Sequence, residues 1–253
     1  MDTSADETKE TPDVPARNTD SWAPLVQTLQ VKGMPANVPD LVDGRRLVGP
    51  LQGFGKMWQK TYRVRLPSEA TDPKAVIRVW KDEFPSFWPA GNRFYTPLVG
   101  ISPGEVALIS LSAGPMRLST GVMVLYADLE SFTLMTPQGH MFAGWITFSA
   151  FKDNEDCVVQ TQVLMRAQDP LSEVGLMMGG HKAEDRFWAS TLRAVALRMG
   201  HATEPETTVV CIDPRRRWSE ARNVWHNAGL RSTLHMVTTP LRLPMRLLRR
   251  GDR

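Results

Sequence analysis

The sequence predicts an α+β domain with one core, in which an antiparallel sheet is closed by a long C-terminal helix. Three observations predict it. Between Gly104 and Ala167, short runs rich in β-branched and aromatic residues alternate with polar turn segments, the pattern of a meander. Leu171, Val174, Met178, His181, Asp185, Trp188, Leu192, Val195 and Met199 recur at spacings of three and four, so they form one helix stripe. The 253 residues are 42% hydrophobic and 23% charged, ordinary globular usage that fills one core plus tails.

Residues 1–20 carry six carboxylates against Lys9 and Arg17 and show no apolar period, so they read as a disordered acidic tail. Residues 21–44 read as an N-terminal helix and loop. Trp22, Leu25, Val26 and Leu29 are spaced for a short helix over 22–31, and the prolines that follow end it. Residues 45–200 hold the main domain. Its Gly49–Gly55 stretch is glycine-rich but has neither the spacing nor the Lys-Ser/Thr ending of a phosphate loop, and reads as a turn. The strand that follows, from Met57 to Leu66, sets Trp58, Lys60, Tyr62, Val64 and Leu66 on one face and Gln59, Arg63 and Arg65 on the other.

Thr71-Asp72-Pro73 starts a helix that should run to about Glu83, since a capping side chain precedes proline. Phe84-Pro85-Ser86-Phe87-Trp88-Pro89 cannot continue it, and its aromatics read as hydrophobic plugs rather than a carbohydrate platform. Strands follow at 106–111, 116–126, 131–135, 141–151 and 157–167, and Asp169-Pro170 opens the long helix to about Met199.

His181 and Asp185 interrupt the apolar stripe one turn apart. Ionisable groups on such a face need each other, water or a ligand, so this stretch is expected to face a polar pocket. The competing reading is a structural His-Asp pair, joined by Arg186 or Arg166. His140, in a turn between strands, is a local hydrogen-bonding residue or a catalyst. No metal-ligand spacing and no nucleophile elbow is found, and no cofactor is expected. No basic and apolar leader opens the chain and no apolar run is long enough to span a bilayer, which predicts a cytoplasmic location with Cys157 and Cys211 reduced.

The long strands, the helix from Asp169 to Met199 and the turn Thr136-Pro137-Gln138-Gly139-His140 before Met141–Phe148 together resemble the helix-grip superfamily of START-like lipid carriers and polyketide cyclases, nearest a bacterial branch. The resemblance covers roughly residues 45–200, and Trp145-Ile146 stands where that branch has an acidic pair. It implies a curved sheet gripping the helix around an apolar cavity, without implying one reaction. From the predicted inward faces, the expected ligand-binding residues are Trp145, Phe148, Met165, Met178, His181, Asp185 and Trp188. The expected function is binding of a lipid-like or other apolar small molecule. The alternatives are a cyclase or dehydratase using His140, His181 or Asp185, and a partner-binding domain with a filled core.

Residues 201–253 form a basic extension: a strand at 207–213, a basic helix from Arg215 to Trp225, then leucines interleaved with arginines and broken by Pro240 and Pro244. Arg242, Arg246, Arg249 and Arg250 suit an anionic membrane surface. Docking on its own domain is the alternative. Nucleic acid is disfavoured because no readout motif accompanies the arginines.

Overall fold

The computed structural model describes residues 18–33, 42–67, 69, 71–113 and 116–231. Eight strands form one sheet: β1 (Met57–Pro67), β2 (Arg93–Tyr95), β3 (Val106–Ala113), β4 (Met116–Ala127), β5 (Ser131–Met135), β6 (Phe142–Asp153), β7 (Asp156–Ala167) and β8 (Glu206–Asp213). The order is β2-β3-β4-β5-β6-β7-β1-β8 with every neighbouring pair antiparallel, so the curved sheet is open, with β2 and β8 as its edges. Packed with it among the described residues are α1 (Pro73–Asp82), α2 (Pro170–Gly175) and α3 (His181–Arg198). This is a helix-grip α+β fold.

Local chemistry explains most of the boundaries. Asp72 accepts hydrogen bonds from the amides of Lys74 and Ala75, with Pro73 in the first turn of α1. Asp169 does the same for Leu171 and Ser172 ahead of Pro170. The alternation in β1 holds: Tyr62, Val64 and Leu66 enter the main core with Val159, Val163 and Met165 of β7 and Phe148 and Ala150 of β6. From α1 come Val76, Ile77 and Trp80, and from α3 come Leu192, Val195 and Ala196. The proline-rich segment is a 3-10 turn, Phe84–Phe87, whose Phe84 and Phe87 plug the core. Phe132 and Phe148 stack at 4.6 Å, with Trp80 5.1 Å and Phe84 5.2 Å from Phe148. The middle of the grip is therefore filled with rings.

Three expectations are corrected. Residues 22–31 are not a helix: Trp22 bridges Tyr126, the Ala23 amide donates to Leu125 O, and the Leu29 amide donates to Arg45 O. Those backbone donors serve β4 and a neighbouring loop. Leu29 enters a smaller core on the outer face with Val42, Val106, Leu108 and Met123, while Leu25 is fully exposed. The helix expected over 169–199 breaks in two at a π-type turn, Leu176–Gly180, where Gly179 has φ +117° and the His181 amide donates to Leu176 O. A Cβ on Gly180 would approach Gly175 O to 2.8 Å, so the tight return needs glycine there. The basic helix of the extension is a 3-10 segment, Trp218–His226.

Candidate functional site

The register of β1 with β7 places Lys60 opposite Val163 and Tyr62 opposite Thr161, on the concave face beneath the start of α3. A lysine on this apolar row must find counter-charges, and α3 supplies two. Lys60 Nζ donates to Asp185 Oδ1 at 2.7 Å and to His181 O at 3.3 Å. It also lies 2.9 Å from Glu184 Oε2, an ionic contact without hydrogen-bond alignment. Tyr62 donates its hydroxyl to the same Asp185 oxygen at 2.7 Å, and Trp58 packs edge-on to His181 at 5.1 Å. Lys60 is 1% exposed, whereas the Asp185 side chain keeps 32%, so the cluster reaches solvent along one side.

Burial sets the electrostatics. It pushes the Glu184 carboxyl up to about 7, against the pull of Lys60, so near neutrality this group exchanges between a carboxylate paired with Lys60 and a protonated form that can donate a hydrogen bond. Burial, then the charges of Glu184 and Asp185, raise the Tyr62 hydroxyl, which stays a neutral donor. Burial and then Lys60 lower His181, favouring its neutral ring. Two buried polar atoms here have no protein partner: His181 Nδ1 and Thr161 Oγ1.

The apolar side chains around the core are not all closed in, and in the cross-strand row of Lys60 and Val163 the next residue is Ile146. Leu111, Phe142, Ile146, Trp88 and Trp188 pack on the core yet remain half-buried. Parity places Ile146 and Phe142 on the same face as Phe148. A separate groove of about 420 Å³ lies on the outer face between residues 24–32 and 103–106, lined largely by polar groups including Lys32 and Glu105.

The seven residues expected to line one cavity do not all meet. His181 and Asp185 lie in the Lys60 cluster, and Trp188 is half-buried against Phe148. Phe148 and Met165 are closed into the core at 0% and 1% exposure. Trp145 is three residues from Phe148 and so faces the opposite side of β6, where its ring approaches Gly49. Met178 is 83% exposed at the kink, because the break rotates the residues before Gly179 off the stripe. His140 is fully buried in the turn before β6; its Nδ1 accepts from the Phe142 amide, and burial lowers it to about 4. It lies beneath the extension, where the Ala228 amide donates to Gly139 O.

His181 and Asp185 are held by Lys60 and Tyr62 rather than by Arg186 or Arg166. Arg166 faces outward and is clamped by Gly55 O at 2.6 Å, Arg215 O at 2.8 Å and Asp213 at 2.5 Å. The sequence reading missed Lys60, Tyr62 and Glu184. The available signal was Lys60 itself, a charge on the apolar face of β1. Arg242, Arg246, Arg249 and Arg250 lie outside the described residues.

No family model and no curated protein matches the chain. Among solved structures it is similar to TTHA0849 from Thermus thermophilus (13% identity, TM-score 0.43, 56% of this chain and 96% of that one). It is also similar to the ginseng major latex-like protein 151 from Panax ginseng (15%, 0.38, 57% and 99%) and to the di-domain ARO/CYC StfQ from the steffimycin biosynthetic pathway (10%, 0.40, 59% and 51%). The helix-grip assignment rests on the strand order and the placement of α3.

Proposed function

We propose that this chain binds a largely apolar small molecule carrying a carbonyl or hydroxyl group, held in the half-open part of the grip between β6 and α3. One observation carries the reading: the inward-facing apolar side chains Ile146 and Phe142 and the α3 residue Trp188 stay half-buried, Ile146 in the cross-strand row of Lys60, while His181 Nδ1 and Thr161 Oγ1 lack partners. Such a surface gains from an apolar occupant, and an oxygen on that occupant would accept from protonated Glu184 or pair with His181 or Thr161. The ring-filled centre limits the occupant to this margin rather than to the whole space between sheet and helix. The arginine- and leucine-rich residues beyond 231 would bring the protein to an anionic membrane surface, where apolar molecules of this class reside.

The experiment fills the margin. With 1-anilinonaphthalene-8-sulfonate as an apolar probe, the wild type is expected to bind and enhance its emission. Ile146→Trp, placing a larger ring at the opening, should weaken that binding about tenfold or more while far-UV circular dichroism is unchanged. Equal binding by both proteins would sink the reading. Convergence of His181, Glu184 and Asp185 also favours a second reading, acid–base chemistry of the cyclase or dehydratase kind at the same margin, without His140. Extraction and mass analysis of molecules carried by the wild type and by Glu184→Gln separates the two: identical masses fit binding, and a substrate retained only by the variant fits turnover.

A further inference from the structure

The end of the molecule away from the β6–β7 hairpin carries an unusual surface. The 3-10 segment Trp218–His226 lies across it, tied to the turn at Pro50–Gln52 by Asn223 Nδ2 donating to Gln52 O at 2.9 Å. Asn227 Nδ2 donates to Asp169 Oδ2 at 2.8 Å, and Arg216 pairs with Glu173 at 3.1 Å, joining the segment to α2. Arg216 also reaches Met177 at the kink, at 3.4 Å. The segments stitched together in this way expose Trp218 (74%), Trp225 (80%), Leu51 (61%), Met177 (61%), Leu171 (47%) and Val174 (44%). Isolated exposed apolar residues are ordinary, but six on adjoining segments, two of them tryptophan, are not.

Positive charge predominates around them, with Glu220 the one carboxylate within Trp218–His226. Arg215, Arg217 and Arg222 are exposed on the same segments. Of the nearby carboxylates, Glu173 is engaged by Arg216 and Asp213 by Arg166 and Arg215, while Glu220 accepts from the Ser219 hydroxyl, so the exposed arginines still outnumber it. Trp218 is presented rigidly: the Arg217 amide donates to Phe54 O at 2.7 Å, and the Trp218 ring meets Phe54 edge-on at 5.1 Å. The chain that continues from Arg231 adds Arg242, Arg246, Arg249, Arg250 and Arg253 against Asp252 alone, interleaved with leucines.

We propose that this face, built from Trp218–His226, Pro50–Gln52, α2 and the Leu176–Gly180 turn, docks on an anionic bilayer, with Trp218 and Trp225 at the headgroup level and the arginines against acidic headgroups. It deepens the membrane part of the proposed function by giving the folded domain, and not only the tail, the contact. Tryptophan suits the interface because its ring is apolar and its N–H remains hydrated, and arginine adds attraction to anionic lipid. A second copy is a poorer occupant, since a two-fold contact through this face sets Arg215, Arg217 and Arg222 against themselves. The chain's own tail is poorer for the same reason, its net charge having the same sign.

The test is vesicle flotation of the full chain with phosphatidylcholine alone and with a phosphatidylcholine–phosphatidylglycerol mixture. Expected are binding to the mixture only, a blue shift of tryptophan emission, and at least a roughly tenfold loss in Trp218→Ala/Trp225→Ala. Both positions are exposed, so the fold should survive, as checked by circular dichroism. If Arg242→Gln/Arg246→Gln/Arg249→Gln/Arg250→Gln loses binding while the tryptophan variant keeps it, the docking face is overturned and the tail reading stands. If neither vesicle binds, both fail, and the probe experiment on the grip still decides the ligand reading. Concentration-dependent self-association that is lost in the tryptophan variant, without vesicle binding, would assign the face to a second copy and overturn the proposal.

Discussion

At the residue scale, Lys60 holds the candidate site together. It is the cation that meets both Glu184 and Asp185 of α3, and removing it leaves the two acidic side chains without their counter-charge. Lys60→Met is expected to lower stability by about 3–5 kcal/mol, the usual result of breaking a buried ion pair on one side. Urea denaturation measures it, and Lys60→Met/Glu184→Gln should recover part of the loss. Two other buried groups predict an opposed pH dependence. Glu184, raised from 4.5 to about 7, keeps its proton in the folded state, so its contribution to stability is full below about pH 4.5 and is lost as pH rises towards 7. His140, lowered from 6.5 to about 4, contributes fully above about pH 6.5 and loses that contribution as pH falls towards 4. Each window is worth about 3 kcal/mol at most, and the two nearly cancel between them. His140→Asn, whose side-chain oxygen can still accept from the Phe142 amide, should expose a stability that falls with rising pH. Glu184→Gln should expose the reverse slope. Urea midpoints across that range that match the wild type in both variants would contradict the buried, perturbed state of these groups.

At the scale of elements, the break between α2 and α3 decides which residues of the helix stripe belong to the site. Gly179 at φ +117° has open space where a Cβ would stand, so the cost of a side chain there is conformational rather than steric. Gly179→Ala should destabilise by about 1–2 kcal/mol, seen as a lower thermal midpoint. Seven of the eight strands and the two capped helix starts were legible because period-two alternation, Asp-Pro capping and polar hairpins act locally; β2, three residues long, is too short to show an alternation. The kink was not legible, since Leu171, Val174 and Met178 keep helical spacing in sequence whether or not the chain breaks at Gly179. Residues 22–31 show the same limit: their spacing fits a helix, but pairing of Trp22 and Ala23 with β4 takes the backbone donors a helix would use. Trp145 and Phe148 had opposite parity from the outset, and strict alternation along β6 would have separated them.

For the whole molecule, β1 lies between β7 and β8, so the centre of this half of the sheet pairs segments about a hundred or more residues apart. Topology of this kind closes large loops before contacts compensate, and refolding is expected in milliseconds to seconds rather than microseconds in stopped-flow fluorescence. Arg166, buried on the outer face, joins β7 to the end of β8 and the loop after it through Asp213, whose carboxyl the Arg215 amide and then Arg166 hold down at about 2. Asp213→Asn should speed amide exchange in β8 and in Trp218–His226 more than in β4–β6, because the clamp is local to the extension. By itself the sequence determined the α+β class, seven of the eight strands, the alternation of faces along β1 and β7 and the segregation of charge along the chain, all set by neighbours a few residues apart. Only the tertiary structure decided that Lys60 and Tyr62 meet Glu184 and Asp185, that aromatic rings fill the middle of the grip, and that Trp218 and Trp225 share an end with α2. Each of these depends on which distant segments the sheet brings within a few ångströms, and local periodicity carries no record of that.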